Sequence, residues 1–338
     1  MGNIKIMVVI AGLLLCAVAF SANVMATVSG DCDACHTVSL GIPLKPGEPF
    51  LYLVKGGSDL CIKCHSSATK ETIKIMGESK VPIVYNTLEP KVPLAGGNFR
   101  YVVKSLGGSH AKGHNVESIA TVDEKLENRP PGYTREFDPS TIGYHMEKRL
   151  TCAGANGCHG DRSIEDTFAA IRGTHHATDT PLDGSTTARS YRYLKNTAKV
   201  EGVMGLEDGD WGYTTSSKDH NEYTTSINKL CESCHGDFHS SKGPWFRHPT
   251  DIIIPKSGEY ANYRLYSNEA PVAREKLPKS STDVVKPETD RVMCLSCHRA
   301  HASPFESLLR WDYDAIISGE KEVPLGGCFT CHSGKRYY

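Results

Sequence analysis

The chain has little of what commonly announces a function. Its charges nearly cancel, 38 Lys+Arg against 39 Asp+Glu, so it lacks the basic excess that draws a protein to nucleic acid. Only 39% of its 338 residues are hydrophobic and 8% aromatic, thin material for one large core. Its long apolar run, residues 6–20, is short for a membrane span. Flanked by Lys5 and by Val24-Met25-Ala26, it has the charged, apolar and small-residue sections of a secretory signal. Cys16 follows three leucines, without the small residue a lipoprotein cleavage site wants, and the Met-Gly start lacks the Ser/Thr of a myristoylation site. Residues 1–26 are therefore read as a signal peptide. The remaining 312 residues carry 37 Lys+Arg against 39 Asp+Glu, with no membrane span.

What is abundant is cysteine. There are 13, and all but Cys16 form six pairs, each followed directly by histidine. Five pairs read C-x-x-C-H: Cys32/Cys35/His36, Cys61/Cys64/His65, Cys231/Cys234/His235, Cys294/Cys297/His298 and Cys328/Cys331/His332. The sixth, Cys152-Ala-Gly-Ala-Asn-Gly-Cys158-His159, is stretched to five intervening residues. C-x-x-C-H is the attachment signature of c-type haem. Two sulfurs become thioethers on the two vinyl groups of one porphyrin, and the next residue places an imidazole on the iron. A zinc knuckle mixes the same residue types but does not take its histidine invariably from the next position. A disulfide scaffold suits an exported chain yet leaves the histidines unexplained. A redox dithiol needs one motif only. For the stretched block a plain disulfide beside a core histidine stands as the alternative.

Six proximal histidines, His36, His65, His159, His235, His298 and His332, leave nine of 15 to spare. After the signal, methionine occurs only at Met76, Met146, Met204 and Met293, so histidine on both sides of each iron is the favoured coordination, with low potentials. His114, His175, His176, His239, His248 and His301 are the candidate distal ligands. His114 lies in a Gly113-His114-Asn115 turn, and His248 follows Trp245-Phe246, suited to lie on porphyrin. His145 is the reserve; His110 and His220 read as exposed. His235/His239 and His298/His301 are spaced to project to one side of a helical turn, so neither pair can share an iron, and each would tie its own haem to the next.

At about 52 residues per haem, the porphyrins would form much of the core. The fold expected is low in regular secondary structure, with short helices and a few short strands wrapped around a stacked haem chain. The motifs divide the chain into residues 27–150 with the first two haems, 151–230 with the stretched block, and 231–338 with the last three. Residues 118–140 and 178–220 read as loop, the latter with short strands. Strand candidates are 81–85, 101–103 and 251–255. Ser303-Pro304-Phe305-Glu306 reads as a capping box opening a helix. Residues from Ser163, with Ile164, Phe168 and Ile171 on one face, read as a helix stopping at Gly173. That rod would separate His159 from His175 and His176, assigning the latter to a neighbouring haem.

The phrases Gly113-His114-Asn115-Val116, Cys152 to Gly160, Gly173-Thr-His175-His176, Cys231 to His239, Arg247-His248-Pro249-Thr250 and Cys294 to His301 resemble the multihaem c-type cytochromes with doubled C-x-x-C-H motifs of bacteria that respire on extracellular metals. The resemblance spans nearly the whole chain after the signal. It implies six covalently bound haem c groups with bis-histidine iron, electron transfer to redox partner proteins or extracellular metal oxides, and in some members polymerisation into filaments. The location implied is the periplasm or outer surface of a Gram-negative-type bacterium. The competing class is a reductase of nitrogen or sulfur oxyanions, which needs one open iron position and acid/base groups beside it. The C-x-x-C-K variant of nitrite reductases is absent.

Overall fold

The computed structural model describes residues 28, 30–31, 35, 57–126, 129–133, 145, 147–177, 182–196, 201–213, 217–239, 248–317 and 326–337. The signal segment, Cys32, His36 and residues 245–247 lie outside these, as does the side chain of His239. Regular structure is sparse. Six short α-helices occur among the described residues: α1 (Ser58–His65), α2 (Thr167–Ala170), α3 (Ser226–Glu232), α4 (Cys294–Cys297), α5 (Tyr313–Ile317) and α6 (Cys328–Cys331). Four of them carry cysteines of the C-x-x-C-H blocks, for a simple reason. One helical turn puts residues three apart on the same face, which is where one porphyrin needs both sulfurs.

Strands are two to four residues long and pair in small patches. An antiparallel hairpin joins Ile73–Met76 to Ser79–Pro82, and a three-stranded sheet joins Gly205–Leu206, Glu222–Thr224 and Ala273–Arg274. No single core unites these pieces. Buried apolar residues fall into three clusters, around Phe99/Val102/Ala302, around Tyr191/Tyr223/Met293, and around Ile254/Tyr263/Val272. Each is of a size that suits padding between larger apolar objects.

Several expected elements differ. Residues 101 and 102 end a 3-10 helix, Phe99–Val102, with Asn98 as its N-cap and the extended Val103 as its C-cap. Residues 251–255 form no strand beyond an isolated bridge of Ile253 to Arg291. Helix α2 is four residues long, because Asp161 Oδ1 takes the Ser163 amide into a local turn and Ile164 gives its carbonyl to Ala155. Helix formation then starts only at Asp166, which caps Phe168 and Ala169. After Ser303 there is no α-helix but a kinked 3-10 turn, Glu306–Leu308. Residues 182–196 and 201–213 are not mere surface: Tyr191 and Val203 are buried.

His220 is the opposite of exposed, at 1%. It stacks on Tyr266 with ring centroids 3.5 Å apart, and its Nε2 lies 3.3 Å from Glu222 Oε1. Glu222 and Asp290 in turn hold the buried Arg274, at 2.6 and 2.5 Å.

The long-range clasp of the fold joins residues 94–98, 113–114 and 299–302. His301 N–H donates to Gly96 O, Asn98 N–H to Ala302 O and His114 N–H to His301 O. Gly113 is extended rather than turned, at φ −178°. It is glycine because a Cβ there would stand 2.3 Å from Ala302 Cβ and 2.6 Å from Val102 Cγ1. Gly113→Ala should therefore cost about 1–3 kcal/mol as an overpacked contact. It should appear as a lowered thermal midpoint, and Ala302→Gly in the same chain should restore part of the loss.

Candidate haem-binding site

Three of the C-x-x-C-H blocks share one backbone closure. The histidine N–H donates to the carbonyl of the first cysteine: His235 to Cys231 at 2.9 Å, His298 to Cys294 at 3.0 Å, His332 to Cys328 at 2.9 Å. In the stretched block His159 N–H makes the same bond to Cys152 O at 3.0 Å. The extra residues leave the path as a tight loop, Gly157 N–H donating to Gly154 O and Gly154 N–H to His159 O. Gly154 sits at φ +88°, and a Cβ on Gly157 would meet Ala153 backbone at 2.5 Å, so both glycines are required. The block is longer in sequence and equivalent in space. Among the described cysteines none is in a disulfide, and no three-ligand metal cluster occurs among the described residues.

Each described proximal histidine has its Nδ1 engaged. His65 Nδ1 pairs with Pro82 O at 2.9 Å, His159 with Arg192 O at 2.8 Å, His235 with Pro131 O at 2.7 Å and His298 with Ser307 O at 2.6 Å. His332 Nδ1 pairs with the Glu259 carboxylate at 2.7 Å. An Nδ1–H donated this way leaves the Nε2 lone pair for a metal and fixes the ring's orientation. Two of the carbonyls come from non-glycine residues in the left-handed region, Arg192 at φ 50° and Ser307 at φ 56°. Such strain is retained where neighbouring structure holds it. It also explains why the helix after Ser303 fails: Ser307 is committed to His298.

Opposite four of these rings stands a second imidazole. His175 faces His65 with centroids 6.3 Å apart, His301 faces His159 at 6.3 Å, His114 faces His235 at 6.1 Å and His248 faces His332 at 6.1 Å. These gaps are too wide for stacking. They fit a metal held between two nitrogens: two bonds of about 2 Å, plus about 1 Å from each nitrogen to its ring centroid, span ~6 Å. Burial pushes His175 down to about 4 and His301 down to about 3, and lowers His65, His114 and His159 as well. All five are therefore neutral imidazoles near pH 7, the form that ligates. His114 is further held by its Nδ1 contact to Ala300 O at 2.7 Å.

The other histidines are placed differently. His176 is exposed beside His175. His145 lies at the surface between Glu147 and Glu165, each 3.2 Å away, and His110 contacts Thr121 Oγ1 at 2.8 Å. His239 ends the 3-10 helix Gly236–His239. His298 and His301 are not on one helical turn, because His298 is already extended at φ −114°, ψ 155°. An extended chain thus carries His301 away from His298 and over to His159.

The cysteines order the blocks in space. Cys64 lies within electrostatic reach of Cys35, and Cys61 hydrogen-bonds Cys152. Cys158 is within reach of Cys234, Cys231 hydrogen-bonds Cys294, and Cys297 is within reach of Cys328 and Cys331. Each block thus lies near the next in chain order. The two terminal doublets belong to one continuous series.

The chain matches the doubled CXXCH motif family over residues 286–337. It is similar to C-type cytochrome OmcS of Geobacter sulfurreducens, 24% identical over 83% of this chain and 78% of that protein. Among solved structures it resembles the Outer Membrane Cytochrome S filament of Geobacter sulfurreducens, at TM-score 0.45 and 19% identity with 85% of each chain covered. It also resembles the OmcS nanowires of the same organism, at TM-score 0.48 and 20% identity with 84% of each covered.

His332 is distinguished by a carboxylate where the other described proximal histidines have a carbonyl. Lys335 and His332 hold Glu259 down at about 2, so the carboxylate form persists until pH falls through that value. A carboxylate makes its imidazole more basic and favours the oxidised metal. Glu259→Gln should raise the potential of that one centre by roughly 59 mV, a tenfold change for one electron, in a spectroelectrochemical titration.

Proposed function

We propose that the chain is an exported multihaem c-type cytochrome, similar to the Geobacter cytochrome it matches, that binds haem c covalently and carries electrons along six haems in one unbroken row. The observation that carries this reading is the nearness of each cysteine block to the next in chain order, since neighbouring thioethers bring the edges of successive porphyrins close together. Haem supplies one-electron redox chemistry, and the protein's part is to hold, orient and insulate it.

In this reading Cys32, Cys35, Cys61, Cys64, Cys152, Cys158, Cys231, Cys234, Cys294, Cys297, Cys328 and Cys331 form the thioethers. His36, His65, His159, His235, His298 and His332 are the proximal ligands. The ring pairs support His175 for the haem of His65, His301 for that of His159, His114 for that of His235 and His248 for that of His332. His239, His176 and the reserve His145 remain for His36 and His298. A distal histidine thus comes from a distant stretch of chain in each of the four pairs, so haem insertion and folding are one event. Residues 27–150, 151–230 and 231–338 then act as three segments of one conductor, with redox proteins or extracellular metal oxides as acceptors.

The same carrier could serve as a filament subunit, passing electrons from copy to copy; electron microscopy of secreted material separates the two. A reductase would instead need an open iron, visible as a high-spin signal in the oxidised protein. Mass spectrometry of the mature protein should give six covalent haems, and five would remove the Cys152/Cys158 site. His301→Ala should leave that number at six while one haem becomes high-spin. Loss of low-spin character at several haems would instead sink the proposed pairing.

A further inference from the structure

Two guanidiniums share a pocket, and among the described residues no carboxylate is bonded to either. Arg310 is 6% exposed; its Nε donates to Leu295 O at 2.7 Å and its Nη1 to Asn268 O at 3.0 Å. Arg299 donates Nη1 to Leu94 O at 3.2 Å. Both line one polar pocket, with Tyr213, Asn221 and Asn268 among its walls. They lie close enough to repel each other. Glu269, on the pocket rim, is exposed and acts on both only at a distance. Arg274 shows what this chain does elsewhere with a buried guanidinium, holding it between Glu222 and Asp290. Burying Arg310 and half-burying Arg299 beside it, with no carboxylate bonded to either among the described residues, is costly. The pocket is built as one half of an ion pair.

We propose that this pocket receives the propionate of a haem, with Arg310 and Arg299 as its counter-ions. The proposal rests on the haem reading above. It favours the chain's own cofactor over a soluble anion because both arginines hang from a haem-attachment block. Arg299 follows His298 directly, and Arg310 N–H donates to Cys297 O at 2.9 Å. Arg310 also acts on the Cys297 thiol, which marks the thioether edge of the porphyrin attached there. Propionates leave a porphyrin on the opposite edge, so the carboxylate belongs to the haem of an adjacent block. The arginine pair then works as a positioning device that neutralises a propionate and raises one haem's potential, since loss of positive charge nearby favours the ferric state.

The test is spectroelectrochemical titration of the mature holoprotein as wild type, Arg310→Gln, Arg299→Gln and Arg310→Lys. Each Gln variant should lower one component about tenfold in its redox equilibrium, ~59 mV for one electron, and Lys should restore most of it. Wild-type potentials should not move when phosphate replaces chloride at fixed ionic strength. A saturable shift with phosphate would give the pocket to a soluble anion and overturn the proposal; so would unchanged potentials in both Gln variants. Should the variants fail to mature, resonance Raman of the wild type decides. A propionate bending band shifted by guanidinium contact supports the pairing, and six unperturbed propionate pairs refute it. Haem number by mass is read in the same samples: a normal count with unmoved potentials rejects the propionate site alone, and a missing haem rejects the reading beneath it.

Discussion

An imidazole that donates one N–H to a fixed acceptor has its tautomer and its orientation set, with the other nitrogen left free to ligate, and these tethers organise the chain. Each described proximal ring is tethered through Nδ1 to a fixed acceptor: Pro82, Pro131, Arg192, Ser307 or Glu259. Two acceptors are prolyl carbonyls, where the ring limits backbone freedom. Two are left-handed residues, Arg192 and Ser307, whose cost is met by the structure around them. Regular secondary structure would take up these carbonyls for its own ladder. Its scarcity follows from their prior commitment.

The second imidazoles explain why distant parts of the chain are interlocked. His301 faces His159, and His114 faces His235, while His114 N–H is bonded to His301 O. One small clasp, closed by Gly113 against Ala302, therefore sets both of the rings that face His159 and His235. Apolar packing is divided among three clusters around this clasp. Such an arrangement is short of hydrophobic stabilisation by itself and is completed by large apolar plates.

The stretched block shows which part of the C-x-x-C-H pattern is chemical and which is incidental. The bond from His159 N–H to Cys152 O survives three additional residues, because Gly154 and Gly157 let the surplus fold back on itself. What the stretched block has in common with the blocks of Cys231, Cys294 and Cys328 is the return of the histidine to the first cysteine's carbonyl. The number of residues between the sulfurs can vary if the backbone closes.

From the linear chain alone, the cysteine blocks, their proximal histidines and the sparseness of regular structure were legible, because covalent attachment depends on neighbours in sequence. Four of the six candidate distal histidines, His114, His175, His248 and His301, stand opposite a partner imidazole that the linear chain does not name. Those partners depend on contacts across more than 80 residues, which carry no local signature. Local rules misread the helix after Ser303 and the rod from Ser163, where Ser307 and Asp161 were already committed elsewhere. They misread His220 as well, since only its packing on Tyr266 makes it buried. Residue order decided which groups can be attached; tertiary structure decided which imidazole faces which and in what order the blocks meet, because those are distances through space.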